Sequence, residues 1–212
     1  MKRWVGVALF LTLGGAAMAT EEATYEVVRT YDDFEVRRYA PYLVAETEVE
    51  GDFSAAGNLA FRTLFRYISG DNHAAQSIAM TAPVTQAPAG AGRKIDMTAP
   101  VIQAPVAGAG TRRHAIGFVM PASFTLDTLP RPNDPRVRIR AAPSRLVAAH
   151  RYSGTWSEER YREHEKTLLD AVIREGLQPV GTPIFARYNS PFAVWFLRRN
   201  EVLVDVVDTA KR

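Results

Sequence analysis

The sequence predicts an α+β domain in which an antiparallel sheet, closed or nearly closed into a β-barrel, is flanked by two α-helices. Short β-rich stretches dominate the chain, and only two stretches have the apolar spacing of an amphipathic helix. Both halves also follow the same order of strands, one helix and further strands. A sheet of alternating βαβ units would need more helices. The repeated order further predicts a pseudo-twofold, duplicated arrangement.

The first half begins with three β-rich stretches, at residues 25–31, 34–39 and 42–49. Polar residues and a proline separate them, as expected for antiparallel strands joined by turns. Helix one is predicted from Phe53 to Gly70, where a glycine ends the helical spacing. Its apolar residues, all expected on one face, are Phe53, Ala56, Ala60, Phe61, Leu64, Phe65 and Ile68.

The second half repeats this order. Helix two is predicted because Thr155 and Glu158 have the spacing of a capping box, and apolar residues then keep helical spacing up to Gly176. Prolines punctuate the connection that precedes this half. The strands predicted from the repeat to the end of the chain span residues 112–120, 137–142, 145–153, 183–188 and 202–207.

Residues 1–19 have the three parts of a secretory signal peptide: a basic start, an apolar run, and the small residues Ala17 and Ala19 at the cleavage site. The apolar run is shorter than the roughly 20 residues that a membrane-spanning helix needs. We therefore expect an exported protein, periplasmic or secreted, whose residues 20–212 form a single domain. No other stretch is apolar enough to span a membrane, so no stable span is expected after cleavage.

The composition excludes several classes of function. The chain has no cysteine, which excludes thiolate metal sites and covalent haem attachment, and its four histidines lack metal-ligand spacing, so no metal site is predicted. Cleavage would remove Lys2 and Arg3, which leaves 24 basic side chains (26 minus 2) against 23 acidic ones and a formal charge of +1. Because the basic residues are dispersed, nucleic acid is not an expected partner.

A tandem repeat marks the middle of the chain. Residues 78–88 read IAMTAPVTQAP and residues 95–105 read IDMTAPVIQAP, so nine of eleven positions are identical. Two copies are too few for a solenoid, which needs roughly three. We expect the first copy in the sheet, because it follows helix one more closely, and the second in an insertion around residues 89–110. Since both could form the same strand, an exchange of copies stays open.

Several short blocks, in order along nearly the whole mature chain, resemble the SOUL haem-binding family. The most distinctive is MTAPV, and others are ARYNSP at residues 186–191 and RNEV at residues 199–202. The resemblance implies a pseudo-twofold β-barrel with two flanking helices, a fold shared with bacterial effector-binding domains. It also implies non-covalent binding of haem or another tetrapyrrole.

We hypothesise that haem or another planar apolar ligand binds in a groove between helix one and the MTAPV strand. Such a site needs a broad apolar surface and cations for the propionates. The expected contacts are Phe61, Leu64, Phe65, Ile68, Met80, Ala82, Val84, Arg198 and Arg199, with Arg93 and Lys94 as further cations. Some relatives carry a histidine where this chain has Arg38, so we expect no strong axial ligand, with Tyr39 and Met80 as poor substitutes.

Two other functions stay open beside a non-catalytic binding protein. Effector-binding relatives can place an acidic side chain in the central cleft, so Glu201 could be the general base of a small hydrolase. An exposed Glu201 at the start of the last strand is the simpler interpretation. The other alternative is a cell-envelope module that contacts a protein partner through the repeat. The chain lacks the Gly-x-Ser-x-Gly motif of hydrolases.

Overall fold

The computed structural model describes residues 20–73, 92–106, 113–190 and 192–208. The predicted signal peptide and the first MTAPV copy, with Met80, Ala82 and Val84, lie outside the described residues. The helices are α1 (Phe53–Ile68) and α2 (Glu158–Arg174). The strands are β1 (Tyr25–Thr30), β2 (Glu35–Tyr39), β3 (Tyr42–Glu50), β4 (Asn72–His73), β5 (Val101–Pro105), β6 (Arg113–Val119), β7 (Arg131–Pro132), β8 (Arg138–Ala142), β9 (Arg145–Tyr152), β10 (Leu177–Arg187) and β11 (Asn200–Asp208).

Nine strands form one antiparallel sheet in the order β1-β2-β9-β11-β10-β5-β6-β3-β8, while β4 pairs with β7 separately. Without β1, this order is symmetric about the β10–β5 pair: β11 matches β6, β9 matches β3, and β2 matches β8. β2 from the first half of the chain therefore lies beside the strands of the second half, and β8 from the second half lies beside the strands of the first half. The sheet has two ends and is a curled half-barrel. The predicted α+β class with a pseudo-twofold duplication is confirmed.

Both helices pack on the same side of the sheet, which we call the helix face. The residues Ala60 and Leu64 of α1 are buried above β3 and β6, and Tyr161 and Leu168 of α2 are buried above β9, β10 and β11. Burying one such large apolar side chain contributes about 1.5–3 kcal/mol. Within the described part of the chain, no helix is both long and apolar enough to cross a membrane.

The opposite side of the sheet, the interior face, curls so that its own side chains pack together. Val44 of β3, Val147 of β9 and Leu203 of β11 belong to this cluster. Because strand residues alternate between faces, Val202 lies under α2 while Leu203 faces the interior. β6 pairs with β3 here, and at Gly117 a Cβ atom would lie only 2.6 Å from the Val44 side chain.

The second MTAPV copy occupies the sheet position that we assigned to the first copy. β5 lies between β10 and β6 and pairs with both, and Ile95 and Ala99 just before it are buried. The Ile95 amide also donates to the carbonyl of Ile68, at the end of α1, over 2.7 Å. The expectation that the first copy fills this position is therefore wrong, and residues 95–105 of the expected insertion belong to the sheet and core.

One buried position explains why the second copy suits the sheet. Ile102 of β5 is buried on the interior face, and Thr85 stands at the same place in the first copy. Burying a hydroxyl without a hydrogen bond costs about 1–3 kcal/mol, whereas isoleucine gains from burial. The distance of each copy from helix one, on which the expectation was based, does not reveal this difference in burial free energy.

Candidate functional site

One edge of α1 carries a partly exposed aromatic pair. Gly57, Phe61 and Phe65 follow one another at intervals of four residues and so lie along one edge of the helix. The rings of Phe61 and Phe65 stack with centroids 5.8 Å apart, and Phe61 also meets Phe118 of β6 at 5.3 Å. Phe65 is 47% exposed. The pair gives this edge of α1 a partly exposed apolar surface.

Arg187, the last residue of β10, lies against this edge of α1. It stands opposite Val101 of β5, and its guanidinium donates a hydrogen bond to the side-chain oxygen of Gln103. A Cβ atom on Gly57 would lie 3.1 Å from the guanidinium, so the glycine permits this close approach. The surface that we call the α1 groove comprises Gly57, Phe61, Phe65, Val101, Gln103 and Arg187.

The charge of Arg187 is not matched by a carboxylate among the described residues. No ion pair within them involves Arg187, and its Nε atom has no hydrogen-bond partner there. Burial lowers the pKa of Arg187 to about 10, which leaves the side chain charged at neutral pH. Because a buried charge without a partner is unfavourable, the arrangement favours an anionic group of a ligand at this point.

Further aromatic side chains surround this cation. The Arg187 guanidinium lies 5.4 Å from the ring centre of Trp156 and 5.2 Å from that of Phe185. Arg198 lies over the same Trp156 ring at 4.4 Å. The ring is held in place because its Nε1 donates to the Asn200 side chain over 2.8 Å. Two guanidinium groups thus share one tryptophan through cation–π contacts.

The segment after β10 exposes a run of large apolar side chains. Phe192 is 97% exposed. The other exposed members of this run are Val194, Trp195, Phe196 and Leu197. Since contiguous apolar surface of this kind is uncommon on isolated proteins, the run at residues 192–197 is a candidate contact surface. We call it the apolar loop.

Glu201 on β11 is the second buried charge, and it lies on the interior face. Its side chain is 0% exposed, so the expectation of an exposed Glu201 is wrong. Two guanidinium nitrogens of Arg37 donate to it over 2.7 and 3.2 Å. Arg199 donates over 3.0 Å and the Tyr188 hydroxyl over 2.7 Å. The alternation along β11, with Val202 under α2, turns Glu201 inward.

This network leaves Glu201 little capacity for chemistry. Burial lowers the pKa of Arg37, but the hydrogen bonds and charge of Glu201 raise it overall, so Arg37 stays a cation. Burial and then the charge of Glu201 raise the pKa of Tyr188, so its hydroxyl stays a donor. All four donors and both cations are supplied by the chain itself, and the arrangement is that of a structural network.

The residues expected to form the apolar wall separate into two groups. Phe61 and Phe65 line the α1 groove. Leu64 and Ile68 are fully buried in the core beneath α1, because the apolar face of the helix is wide enough to bury one stripe and expose another. The remaining wall residues belong to the first MTAPV copy, outside the described residues.

Arg198 and Arg199 point to opposite faces of the sheet. Arg198 lies over Trp156 on the helix face. Arg199 donates to both Glu22 and Glu201 on the interior side, so two carboxylates already match its charge. Successive residues of an extended backbone point in opposite directions, and an arginine pair in sequence is therefore not a pair in space. Tyr39 is also buried on the interior face, away from the α1 groove.

Sequence reasoning did not identify Gly57, Trp156 or Arg187. A signal for Arg187 was present, since it is two residues from Phe185 and so shares the face of an apolar strand residue. A charged side chain on such a face either forms an ion pair within the protein or is available to bind a charged ligand. The partner cannot be judged from the sequence, because it depends on which distant strands and helices come together.

The histidines do not converge on a metal site. Within the described ranges, no group of three or more His, Asp or Glu side chains is placed to hold a metal ion. His150 and His164 bond to each other over 3.0 Å, and His73 bonds to an asparagine. His114 is buried with its ring edge-on to Phe53.

A recess of about 350 Å³ lies elsewhere, beside the β2–β3 turn and the residues after β6. Its charged side chains are Glu21 and Glu22. Carboxylates would repel an anionic ligand, so a site with two acids and no cation suits a tetrapyrrole acid less well than the α1 groove.

The sequence matches a known family profile. The profile described as "SOUL heme-binding protein" matches residues 20–91 and 86–205. Each matched range contains one of the two MTAPV copies. The human protein named heme-binding protein 2 (Homo sapiens) is 28% identical over 181 residues, which are 79% of this chain and 79% of that protein.

Two solved structures share the fold at low sequence identity. The C-terminal domain of EcmrR has a TM-score of 0.59 at 10% identity, over 87% of this chain and 98% of that chain. A protein from Listeria innocua described as a hydrolase has a TM-score of 0.52 at 11% identity, over 85% of this chain and 94% of that chain. At such identities the likeness concerns the fold alone.

Proposed function

Because the chain belongs to the SOUL heme-binding protein family, we propose that it binds haem or another tetrapyrrole non-covalently in the α1 groove, without catalysing a reaction. The family supports the class of ligand. The single observation that supports the location is Arg187, a charged side chain with no carboxylate partner among the described residues, which lies against Gly57 on the edge of α1 that also carries Phe61 and Phe65.

The aromatic pair suits one face of a macrocycle. A tetrapyrrole is flat and apolar over most of its area, and it could extend the stack of the Phe61 and Phe65 rings, whose planes differ by 11°. Covering 100 Å² of apolar surface contributes about 2.5 kcal/mol, and an aromatic stacking contact adds about 0.5–1.5 kcal/mol. These two contributions would supply most of the affinity.

Arg187 suits a carboxylate at the edge of the ligand. Its free Nε and its unmatched charge can form a charge-assisted hydrogen bond, which contributes about 1.5–3 kcal/mol. Bound haem would supply its iron and its visible absorption, while the groove residues hold the ring and one propionate. Since the described histidines have partners or are buried, we expect hemin and metal-free protoporphyrin to bind with similar affinity.

We also propose that the protein acts outside the cytoplasm. The support is the basic start, apolar run and Ala17-Met18-Ala19 cleavage site of residues 1–19. Expression of the whole chain followed by mass spectrometry of the periplasmic and medium fractions tests this. The expected product begins at Thr20, and an uncleaved cytoplasmic product would contradict the proposal.

A titration of the Soret band tests the ligand and its site. The mature protein is mixed with hemin or protoporphyrin, and the wild type is expected to give a saturable spectral change. Phe65→Asp should weaken both ligands by at least about tenfold, because it places a carboxylate against the ligand wall. No spectral change at micromolar protein would overturn the proposed function.

Leu59→Asp is the matched control. Leu59 is on another edge of α1 and is 42% exposed, close to the 47% of Phe65. This variant adds the same charge to the same helix and should leave the affinity unchanged. Arg199 is not a suitable test residue for the propionate, since Arg199→Glu would place a third carboxylate beside Glu22 and Glu201.

The apolar loop supports a second candidate function, the recognition of a protein partner. The repeat cannot be deleted to test it, because residues 95–105 belong to the sheet and core. Phe192→Ser with Leu197→Ser tests it instead. Both side chains are highly exposed, so the folded state should persist while a loop-mediated partner, found by cross-linking in envelope extracts, is lost. A hydrolase is not proposed, since Glu201 is fully paired.

A further inference from the structure

Three unpartnered polar atoms lie near the start of α2. They are the hydroxyl of Tyr152, Nε of Arg160 and Nε of Arg187, and none has a hydrogen-bond partner among the described residues. Tyr152 is only 7% exposed. Buried polar atoms are almost always paired, so three unpaired donors in one region point to a group that normally accepts from them.

Ring contacts connect these side chains. The rings of Tyr152 and His164 stack with centroids 3.7 Å apart, and Arg160 reaches Nε2 of His164 at 3.5 Å. On the other side, the Tyr152 ring lies 6.4 Å from that of Phe185, and the Arg187 guanidinium lies over Phe185 at 5.2 Å. Tyr152 therefore lies between the two arginines.

Two of the cations in this region have no carboxylate partner in the part of the chain that the structure describes. Neither Arg160 nor Arg187 forms an ion pair within the described residues, although many other arginines do. Burial raises the pKa of the Tyr152 hydroxyl while both guanidinium charges lower it, with burial dominant, so the hydroxyl stays a donor at neutral pH. Arg160 also sits in the first turn of α2, where the helix dipole favours negative charge and where Glu158 and Glu159 also lie.

A small recess leads to Arg160. Its volume is about 160 Å³, and its lining residues are Ser153, Gly154, Thr155, Arg160, Trp195 and Phe196. Gly154 has a φ of 127°, and a Cβ atom there would lie 3.0 Å from Arg160 Nε, so only glycine leaves this approach undistorted. The recess is too small for a macrocycle but large enough for a carboxylate or phosphate group.

We propose that Tyr152, Arg160 and Arg187 form a subsite for a small oxyanion, either free phosphate or a carboxylate carried by a larger ligand. Two guanidinium groups supply only donors and the phenol can donate a further hydrogen bond, which is the chemistry that recognises an oxyanion. The carboxylate source rests on the proposed function of the α1 groove, which shares Arg187. The free-anion source does not.

Tryptophan fluorescence reports on this subsite. Trp4 belongs to the predicted signal peptide, so the mature chain contains only Trp156 and Trp195, which contact Arg187 and line the recess. The mature protein is titrated with sodium phosphate against chloride at constant ionic strength. We expect a saturable change in emission and a rise in Tm with phosphate. No change in either signal would overturn the free-anion site.

Tyr152→Phe is the decisive variant, because it removes one hydroxyl and no bulk. We expect phosphate affinity to fall about tenfold, the effect of one hydrogen bond to a charged group. The Tm without phosphate should stay equal or rise, since the lost hydroxyl has no partner among the described residues. A structural role bridged by a buried water predicts the reverse, with a lower Tm and unchanged phosphate affinity, and would overturn the proposal.

Two controls match this variant. Tyr161→Phe removes a hydroxyl that donates to the Pro183 carbonyl over 3.0 Å, so it should lower Tm and leave phosphate affinity unchanged. Arg162→Gln removes a cation that is also on α2 but pairs with Glu165 over 2.7 Å, and it should leave the affinity unchanged. Loss of phosphate binding in Arg162→Gln would show only non-specific charge attraction and would overturn the subsite.

Competition between phosphate and protoporphyrin distinguishes a free anion from a ligand carboxylate, and it also distinguishes the subsite from the proposed function. If the subsite holds a ligand carboxylate, phosphate should weaken protoporphyrin binding several-fold and leave its dimethyl ester unaffected. Phosphate binding without any Soret change would keep the subsite and reject the proposed function. Tetrapyrrole binding with no phosphate response, and equal affinity for the acid and the ester, would keep the proposed function and reject the subsite.

Discussion

Glu201 and Arg187 are buried charges on neighbouring strands, yet they differ in whether the chain itself matches their charge. Arg187 pairs across the sheet with Asn200, the residue before Glu201. Because successive strand residues alternate between faces, the side chains of Arg187 and Glu201 point to opposite faces. On the interior face, Glu201 accepts from Arg37, Arg199 and Tyr188. On the helix face, Arg187 meets the neutral Gln103 and aromatic rings.

The difference assigns a role to each charge. A charge matched within the chain stabilises the folded state, and removing its partner leaves an uncompensated ion. A charge that the described chain leaves unmatched destabilises the ligand-free state, and an anionic ligand relieves it. Substitutions at Glu201 should therefore change stability, whereas substitutions at Arg187 should change binding.

Glu201→Gln should give the largest effect. It leaves Arg37 buried without its main counter-ion, and breaking a buried ion pair from one side costs about 3–5 kcal/mol. Urea unfolding followed by circular dichroism measures this loss. Tetrapyrrole affinity of the protein that remains folded should stay the same, because Glu201 is on the face away from the α1 groove.

Glu48→Gln is the control for that substitution. Glu48 pairs with Arg113, but both side chains are about 40% exposed, and exposed pairs contribute about 1 kcal/mol or less. If Glu201→Gln cost no more than Glu48→Gln, the interior network would not be structural. Glu201 would then have to be reconsidered as a functional acid.

Tyr188→Phe should give the next largest effect. Its hydroxyl donates to Glu201 over 2.7 Å, and a hydrogen bond to a charged group contributes about 1.5–3 kcal/mol. Tyr161→Phe, which loses a bond to a neutral carbonyl, should cost about 1 kcal/mol. The same urea experiment measures both, and equal losses would mean that the charge of Glu201 does not strengthen its hydrogen bond.

Arg187→Met should reverse the pattern, with little loss of stability and a clear loss of binding. Methionine fills the space without a charge, so unfolding free energy should change by less than about 1 kcal/mol, including the lost bond to Gln103. Affinity for protoporphyrin should fall about tenfold in the Soret titration. Arg174→Met, at an exposed pair with Asp33, should leave affinity unchanged. A large loss of stability in Arg187→Met would show a structural role instead.

The fold was predictable to a greater extent than the site. The apolar spacing set the start of α1 correctly at Phe53 and its end, Ile68, to within two residues of the predicted Gly70, because helical periodicity is a local signal. At α2 the N-cap is Ser157, whose hydroxyl accepts from the Arg160 amide, and not Thr155 of the predicted capping box. Such boundaries depend on local geometry that the pattern does not contain.

The site depended on contacts between distant residues. Phe61 and Phe65 were predictable because they lie on an apolar helix edge. Two other features were not predictable. One is the ion pair between Glu201 and Arg37, which are 164 residues apart, and the other is the absence of a carboxylate beside Arg187 in the described chain. The choice of MTAPV copy likewise follows from the burial of Ile102, which sequence spacing does not reveal.

The smallest expected effect concerns protons beside Arg160. His150 Nδ1 faces the Asp33 carbonyl at 2.6 Å, so it carries a proton, and His150 Nε2 lies 3.0 Å from His164 Nδ1. His164 Nε2 lies opposite Arg160 at 3.5 Å. Burial, then the charges of His150 and Arg160, lower the pKa of His164 below its ordinary 6.5, although the charge of Glu163 nearby acts to raise it.

A lowered histidine pKa means that the unfolded chain binds the proton more readily than the folded one. Stability from a neutral His164 is therefore fully present above about pH 6.5 and is lost as pH falls from there through the lower folded-state pKa. Urea midpoints measured from pH 7.5 to 5 should fall less in His164→Asn than in the wild type, while His73→Asn, at an exposed histidine, should follow the wild type. An unchanged slope in His164→Asn would show that this histidine is not held neutral, and that the positive charge around Arg160 is weaker than the unmatched arginines imply.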